Sequence, residues 1–299
     1  MSLTKQESSH GLDWQLELAR DSLLPGTLVA GSLSVVAHHD ADARGLIVAL
    51  RATEQWQHEV TTTDANGHTS THTATERRQL VAEPVQVAED VHLAKGESRT
   101  WSFELPVPPL GPATLEATVA ALTWEVEAKL DMPGGFDSSI EMPVRVAQPV
   151  ALLRSGAVPV GQFALYDSAD VADDGATGRI TLSPVPLCVG APFHASIVIE
   201  PGRPRKLQEI RVEIRVHVEA TVSSGKDETL TIWSSVVPIT DLQGERTIAL
   251  EGTVPDVALP TIELPHGRTS ATVHVILATA FAADPHLTRD VAIATTQEL

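Results

Sequence analysis

Cysteine, asparagine, lysine and aromatic residues are all scarce in this 299-residue chain. Cys188 is the single cysteine, so no intrachain disulfide can form and no multi-thiolate zinc ribbon can be built. That economy fits a reducing compartment. Aromatic residues make up 4 % of the chain, so its cores must be assembled from Val, Ile, Leu and Ala. No window approaches the ~18 unbroken apolar residues of a membrane-spanning helix. Residues Met1 to Arg20 hold no apolar run of signal-peptide length. Together these absences predict a soluble cytoplasmic protein with no integral membrane segment. Gly-x-Ser-x-Gly, His-Glu-x-x-His, Gly-x-Gly-x-x-Gly and Walker-type loops are all missing, which removes the usual sequence grounds for expecting an enzyme or a bound cofactor.

The charge that is present is lopsided. Twenty-one basic residues stand against 39 acidic ones, a net charge of −18. Such a surface repels nucleic acid and anionic membranes, and favours neither as a partner. Arg outnumbers Lys 16 to 5 and Asn66 is the only Asn, a bias that matches a GC-rich coding sequence. Arg content as a whole is therefore not read as a functional signal.

The organising feature is an internal repeat. Leu105-Pro106, Pro108-Pro109 and Pro112-Ala113-Thr114-Leu115 lead into the alternating stretch from Leu122 to Ala128. About 149 positions on, Val254-Pro255 and Leu259-Pro260-Thr261-Ile262 lead into Thr272 to Leu277. Solenoid repeats run to ~20–50 residues, so a repeat of this size is a domain. Within each half the apolar residues alternate. Trp14, Leu16 and Leu18 share one face; Leu33, Val35 and Ala37 share another. From Ile210 to Val222 every even position is apolar and every odd one polar. A period of two means a strand with one dry face, and a sheet with one dry face needs a second sheet against it. Asn66-Gly67 marks a hairpin between a long strand, Leu46 to Val60, and its return, Arg77 to Val87. The polar tip between them, Thr61 to Glu76, is expected to project into solvent or to move. No segment shows a convincing helical period. The predicted fold is all-β: two tandem immunoglobulin-like antiparallel β-sandwiches, residues 1–149 and 179–299, joined by a linker or junction over 150–178 whose tail, Asp167 to Gly178, is acidic.

Particular motifs resemble those of arrestin-like domains. Leu24-Pro25-Gly26, followed by Leu28, Gly31 and the strand to Val35, is similar to a turn near the start of that family's N-domain. Leu93 to Gly96, followed by Trp101-Ser102-Phe103-Glu104-Leu105-Pro106, resembles a later segment, and Val189-Gly190 with Leu250 to Thr261 is a weaker second copy. The resemblance covers roughly Asp13 to Ala294. It implies a non-enzymatic adaptor or scaffold that binds protein partners through loops, sheet edges and an interdomain cleft. The composition adds the expectation of a bacterial relative, near the sporulation-control branch. The chain lacks that branch's Gly-Gly pair, and also a PPxY segment and a clathrin-type tail. A regulator of stress response or sporulation working inside an oligomeric assembly is the alternative reading, and a small-molecule or metal carrier a further one.

Two side-chain groups are candidate sites. His68 and His72 lie four apart on a strand, roughly 13 Å from each other, so a shared metal would need the strand to bend. A two-residue turn at Asn66-Gly67 would set Thr61 opposite His72 and turn His58 to the other face. Arg203, Arg205, Lys206, Arg211 and Arg215 form the one basic cluster, a candidate dock for an acidic or phosphorylated segment. The plainer and favoured reading pairs Arg211 and Arg215 with Glu213 and Glu219. Self-association through a sheet edge, either the Leu46–Val60 hairpin or the Arg179 segment, is also expected to be open, with Pro184, Pro186 and Pro238 as edge blockers.

Overall fold

A computed structural model describes residues 2–134, 137–161, 164–173, 175–202, 205–239, 241–279 and 284–298; for Arg205 and Asp241 it describes the backbone alone. Strand accounts for 66 % of the chain and helix for 2 %, so the fold is all-β. The chain falls into two compact units. One comprises residues 1–55, 76–116 and 121–147. The other comprises 56–75, 117–120 and 148–299.

Ten strands precede residue 147: β1 (Leu3–Ser9), β2 (Leu12–Leu18), β3 (Ser22–Leu23), β4 (Leu28–Ala37), β5 (Ala41–Thr63), β6 (Thr69–Leu93), β7 (Ser98–Pro106), β8 (Leu115–Glu116), β9 (Ala120–Leu130) and β10 (Ser138–Val146). One sheet runs β1-β2-β4-β7 and the other β3-β10-β9-β5-β6. Alternation explains why the two sheets stack. Leu12, Trp14, Leu16 and Leu18 are buried on β2, and Leu122, Trp124, Val126, Ala128 and Leu130 on β9. Burying such side chains contributes about 1.5–3 kcal/mol each. One polar bond crosses this core. The Trp14 indole N–H donates to Ser138 Oγ at 3.0 Å, and that hydroxyl donates onward to the Ser9 carbonyl.

The second unit holds a short helix, α1 (Val150–Arg154), and then β11 (Ser168–Asp173), β12 (Ala176–Ser183), β13 (Leu187–Cys188), β14 (Pro192–Pro201), β15 (Arg205–Lys206), β16 (Glu209–Ala220), β17 (Asp227–Val237), β18 (Asp241–Leu242), β19 (Arg246–Thr253), β20 (Gly267–Ala278), β21 (His286–Val291) and β22 (Ile293–Ala294). Its sheets run β11-β12-β14-β19 and β17-β16-β20-β21, with the short pairs β13-β22 and β15-β18.

Matched hydrogen bonds identify the repeat atom by atom. Gly26 N–H donates to the Val107 carbonyl and Val107 N–H to the Thr27 carbonyl; Gly190, Val254 and Ala191 make the same two bonds. Gly26 (φ +77°) and Gly190 (φ +73°) occupy the left-handed region that these turns require. Thr114 N–H donates to the Val146 carbonyl while Thr114 Oγ1 accepts from Val146 N–H. Thr261 and Ile293 repeat both bonds. Even the two short parallel pairings correspond, β3 with β10 and β13 with β22.

Several expectations need correction. Leu3–Ser9 forms strand β1, although Thr4 to Asp13 alternates too weakly to announce it. The junction expected over 150–178 holds α1, and β11 occupies Ser168–Asp173 within its acidic tail. β11 pairs with β12 along its length, so the Arg179 segment is an interior strand and not an edge. Pro184 and Pro186 sit between β12 and β13, and Pro238 follows the end of β17, so none of them interrupts a strand.

Candidate binding surfaces and what they hold

The basic cluster divides on inspection. Arg203 lies outside the described residues, and Arg205 is described as backbone alone, in β15. Lys206 is exposed beside it. Arg211 and Arg215 stand further along, on the outer face of β16, within a row of alternating charges. The Arg211 guanidinium contacts Glu209 at 2.7 Å, and Arg215 contacts Glu213 at 2.6 Å. Arg268 on β20 reaches across to Glu219, its register partner. The hydrogen bond and charge of Glu209 hold the Arg211 guanidinium more firmly protonated than usual. Glu213 is only 7 % exposed, so Arg215 balances a carboxylate largely removed from water. The face is a compensated ladder and not a bare positive patch. Arg215 is paired with Glu213 as the plainer reading expects; Glu219 pairs with Arg268 instead of an arginine of its own strand.

His274 lies opposite Glu213 on this face. Burial is the main influence on its imidazole and pushes its pKa down; the nearby Arg215 and His286 act in the same direction, and Glu213 acts against them.

The hairpin tip is built differently from the expected two-residue turn. Asp64 N–H donates to the His68 carbonyl, which leaves the three-residue loop Ala65-Asn66-Gly67. Asp64 Oδ1 accepts from the backbone N–H groups of Asn66 and His68, and these bonds hold its carboxyl below the usual carboxylate range. Gly67 closes the turn at φ +82°. Hydroxyl contacts Thr61–Thr71, Thr62–Ser70 and Thr63–Thr69 then set the register. Arg77 Nε donating to Gln55 Oε1 carries the same register further down the hairpin. His72 therefore faces Val60, one residue away from Thr61, and His58 shares the face of His68 and His72. An extra loop residue shifts every pair by one. His68 Nδ1 lies 3.2 Å from Asp64, and both side chains are exposed. Among the described residues no group of three His, Cys, Asp or Glu side chains stands close enough to hold a metal ion.

Below this exposed tip, the hairpin is anchored within the second unit, which the sequence does not reveal. The Trp56 ring stacks on His266 with centroids 4.0 Å apart and planes 13° from parallel. His58 bridges to Gly225, Lys226 N–H donates to the Gln57 carbonyl, and Lys226 Nζ pairs with Glu59. Glu228 receives the backbone N–H of Thr118 at 2.7 Å. Trp56 continues the buried even face of β5, so the alternation signals its burial but not its partner.

The second unit also has a cleft of about 410 Å³, lined by Val160, Ala164, Glu263, Arg268, Ser270 and Asp290 among others. It presents two carboxylates and a guanidinium. Its described lining includes no imidazole or thiol to serve as base or nucleophile.

The frame is all-β, and the outer face of β16 and β20 is charge-balanced. Residues 15–153 match the family model described as Arrestin (or S-antigen), N-terminal domain. The match shows a likeness to that domain over residues 15–153. No curated protein matches the chain in sequence. No helix among the described residues is long and apolar enough to cross a membrane.

Proposed function

We propose that this chain is a non-enzymatic adaptor or scaffold that binds a protein partner through loops and sheet edges. The match of residues 15–153 to the arrestin N-terminal domain carries the reading. The compensated ladder on β16 supports it, because the ionised groups of that face are committed to each other and not to a substrate. We place the protein in the bacterial cytoplasm, in keeping with its single Cys and its codon-biased composition. The basic dock reduces to Arg203, Arg205 and Lys206; Arg211 and Arg215 drop out because each is held by a carboxylate.

A second reading, a stress or sporulation regulator inside a larger assembly, draws on the long exposed edge strand β6. Affinity capture with the tagged full chain, followed by reconstitution with the purified partner, tests the adaptor role. A defined complex that loses affinity in Arg205→Ala/Lys206→Ala supports the dock as well. A defined complex with no dependence on those residues keeps the adaptor and removes the dock. Failure of every captured protein to reconstitute contradicts the adaptor.

A further inference from the structure

β7 ends its sheet, so one side of its backbone has no ladder partner. Its register on β4 runs without a shift from Leu28/Pro106 to Val36/Ser98. The bonds at its two ends show which groups face outward. Ala37 N–H donates to the Glu97 carbonyl, and Val107 N–H donates to the Thr27 carbonyl. Both pairs continue that one register, so the odd residues of β7 bond to β4 and the even ones direct N–H and C=O away from it. The outward set is Ser98, Thr100, Ser102, Glu104 and Pro106. The first four are exposed, and among the described residues no other segment hydrogen-bonds to their backbone. Arg99 shares the face of the buried Phe103 and Leu105, yet its side chain is 42 % exposed, so the facing sheet does not overhang this end of the edge. No proline or bulge interrupts Ser98 to Glu104, and an edge left whole is a template for another strand.

We propose that β7 pairs antiparallel with β7 of a second copy of this chain, about a two-fold axis at Trp101. The outward set fixes this centre. About Trp101, Ser98 meets Glu104 and Thr100 meets Ser102, each pair made twice, so all four residues gain a partner that carries an N–H. About Ser102, Ser98 would meet Pro106, which has no N–H. About Thr100, Glu104 would meet Gly96, whose N–H is already given to the Ala37 carbonyl. Centres further along leave more of the four unpaired. Side chains agree with the same centre. Thr100 and Ser102 make a favourable hydroxyl pair, and the half-buried Trp101 meets the same ring of its copy. Glu97 lies opposite Leu105 and Arg99 opposite Phe103, so like charges never face each other. The strip is thus complementary to itself, which selects a second copy as its occupant. This inference goes beyond the adaptor reading and does not depend on it.

Sedimentation equilibrium of the full chain, from ~1 to ~100 μM, tests the pairing. The expected result is a reversible dimer. Ser98→Glu should weaken it roughly tenfold, because it sets a second carboxylate opposite Glu104 at both ends of the pairing. Ser98→Glu/Glu104→Lys together should restore it, since both facing pairs become attractive. Both positions are exposed, so neither change threatens the fold. Ser102→Pro removes an outward N–H without touching the β4 ladder, and should abolish the dimer while circular dichroism stays unchanged. A monomer throughout the range overturns the proposal. So does a dimer indifferent to Ser102→Pro, or one whose loss in Ser98→Glu the Glu104→Lys exchange fails to restore.

Discussion

Thr114 and Val146 exchange two hydrogen bonds, N–H to carbonyl and hydroxyl from N–H, each 2.9 Å long. Thr261 and Ile293 make the same reciprocal pair in the second unit, at 3.0 and 2.9 Å. A threonine at the end of each proline-punctuated loop thus fixes the loop to the last strands of its own unit. This explains why the two loops read alike. The prolines shape the segment, and the threonine supplies the acceptor that a buried N–H needs.

Thr261→Val should therefore cost about 1–3 kcal/mol, because the Ile293 N–H is left buried without an acceptor. Thr261→Ser should recover most of that loss. Urea denaturation of the two variants checks both expectations. Equal stability of Thr261→Val and the parent would contradict the account.

Trp56→Ala should destabilise the chain by about 3 kcal/mol, in the range measured for large aromatic truncations in cores. The stacking partner His266 should become more accessible at the same time. Hydrogen exchange should then accelerate at residues 57–60 and 225–228, where the backbone bonds around Lys226 lie.

Removing Arg215 should cost more than removing Lys206. Arg215→Ala removes the closer of two guanidinium partners from a carboxylate that is 7 % exposed and leaves Arg211 at 3.8 Å, so a loss of roughly 1–2 kcal/mol is expected. Arg215→Ala/Glu213→Ala should recover part of it. Chemical denaturation of the three variants decides the order.

His274 gives a pH dependence of definite sign. Its pKa in the folded chain lies below the usual imidazole value because burial disfavours the charged ring. Below ~6.5 the unfolded chain binds a proton that the folded chain still refuses, so stability falls as the pH falls through that window. Stability contributed by the neutral ring is fully present above ~6.5. His274→Gln should flatten the stability profile between pH 7 and 5. The carboxylate of Asp64, held below its ordinary range, should act only at still lower pH, where its protonation releases the turn.

Zinc or nickel titration should show no tight binding at the hairpin tip. His68 and His72 are both exposed, and no third described ligand converges on them. Tight binding lost in His68→Ala/His72→Ala would sink that expectation.

Much of the fold was legible because burial imposes a period of two. β16 shows it most clearly, with six consecutive even positions from Ile210 to Ala220 buried. Gly26 and Gly190 were legible because their turns need positive φ. The edges were not legible. Whether the Arg179 segment ends a sheet depends on β11, a short strand whose Ser, Ala and Asp residues carry little pattern. Register at the hairpin tip turned on one extra loop residue, which Asp64 imposes by accepting two backbone N–H groups. The candidate dock was half legible. Spacing suggested Glu213 and Glu219 as the partners of Arg211 and Arg215, but Arg211 is held by Glu209 and cross-strand register gives Glu219 to Arg268.

The most direct test of the central claim is hydrogen-exchange mapping of the full chain with its purified partner. Protection confined to loops and edge strands, with the outer face of β16 and β20 unchanged, is the result expected of a protein that recognises through its rims. Protection centred on the β16–β20 charge ladder, or no difference at all with partner bound, would contradict it.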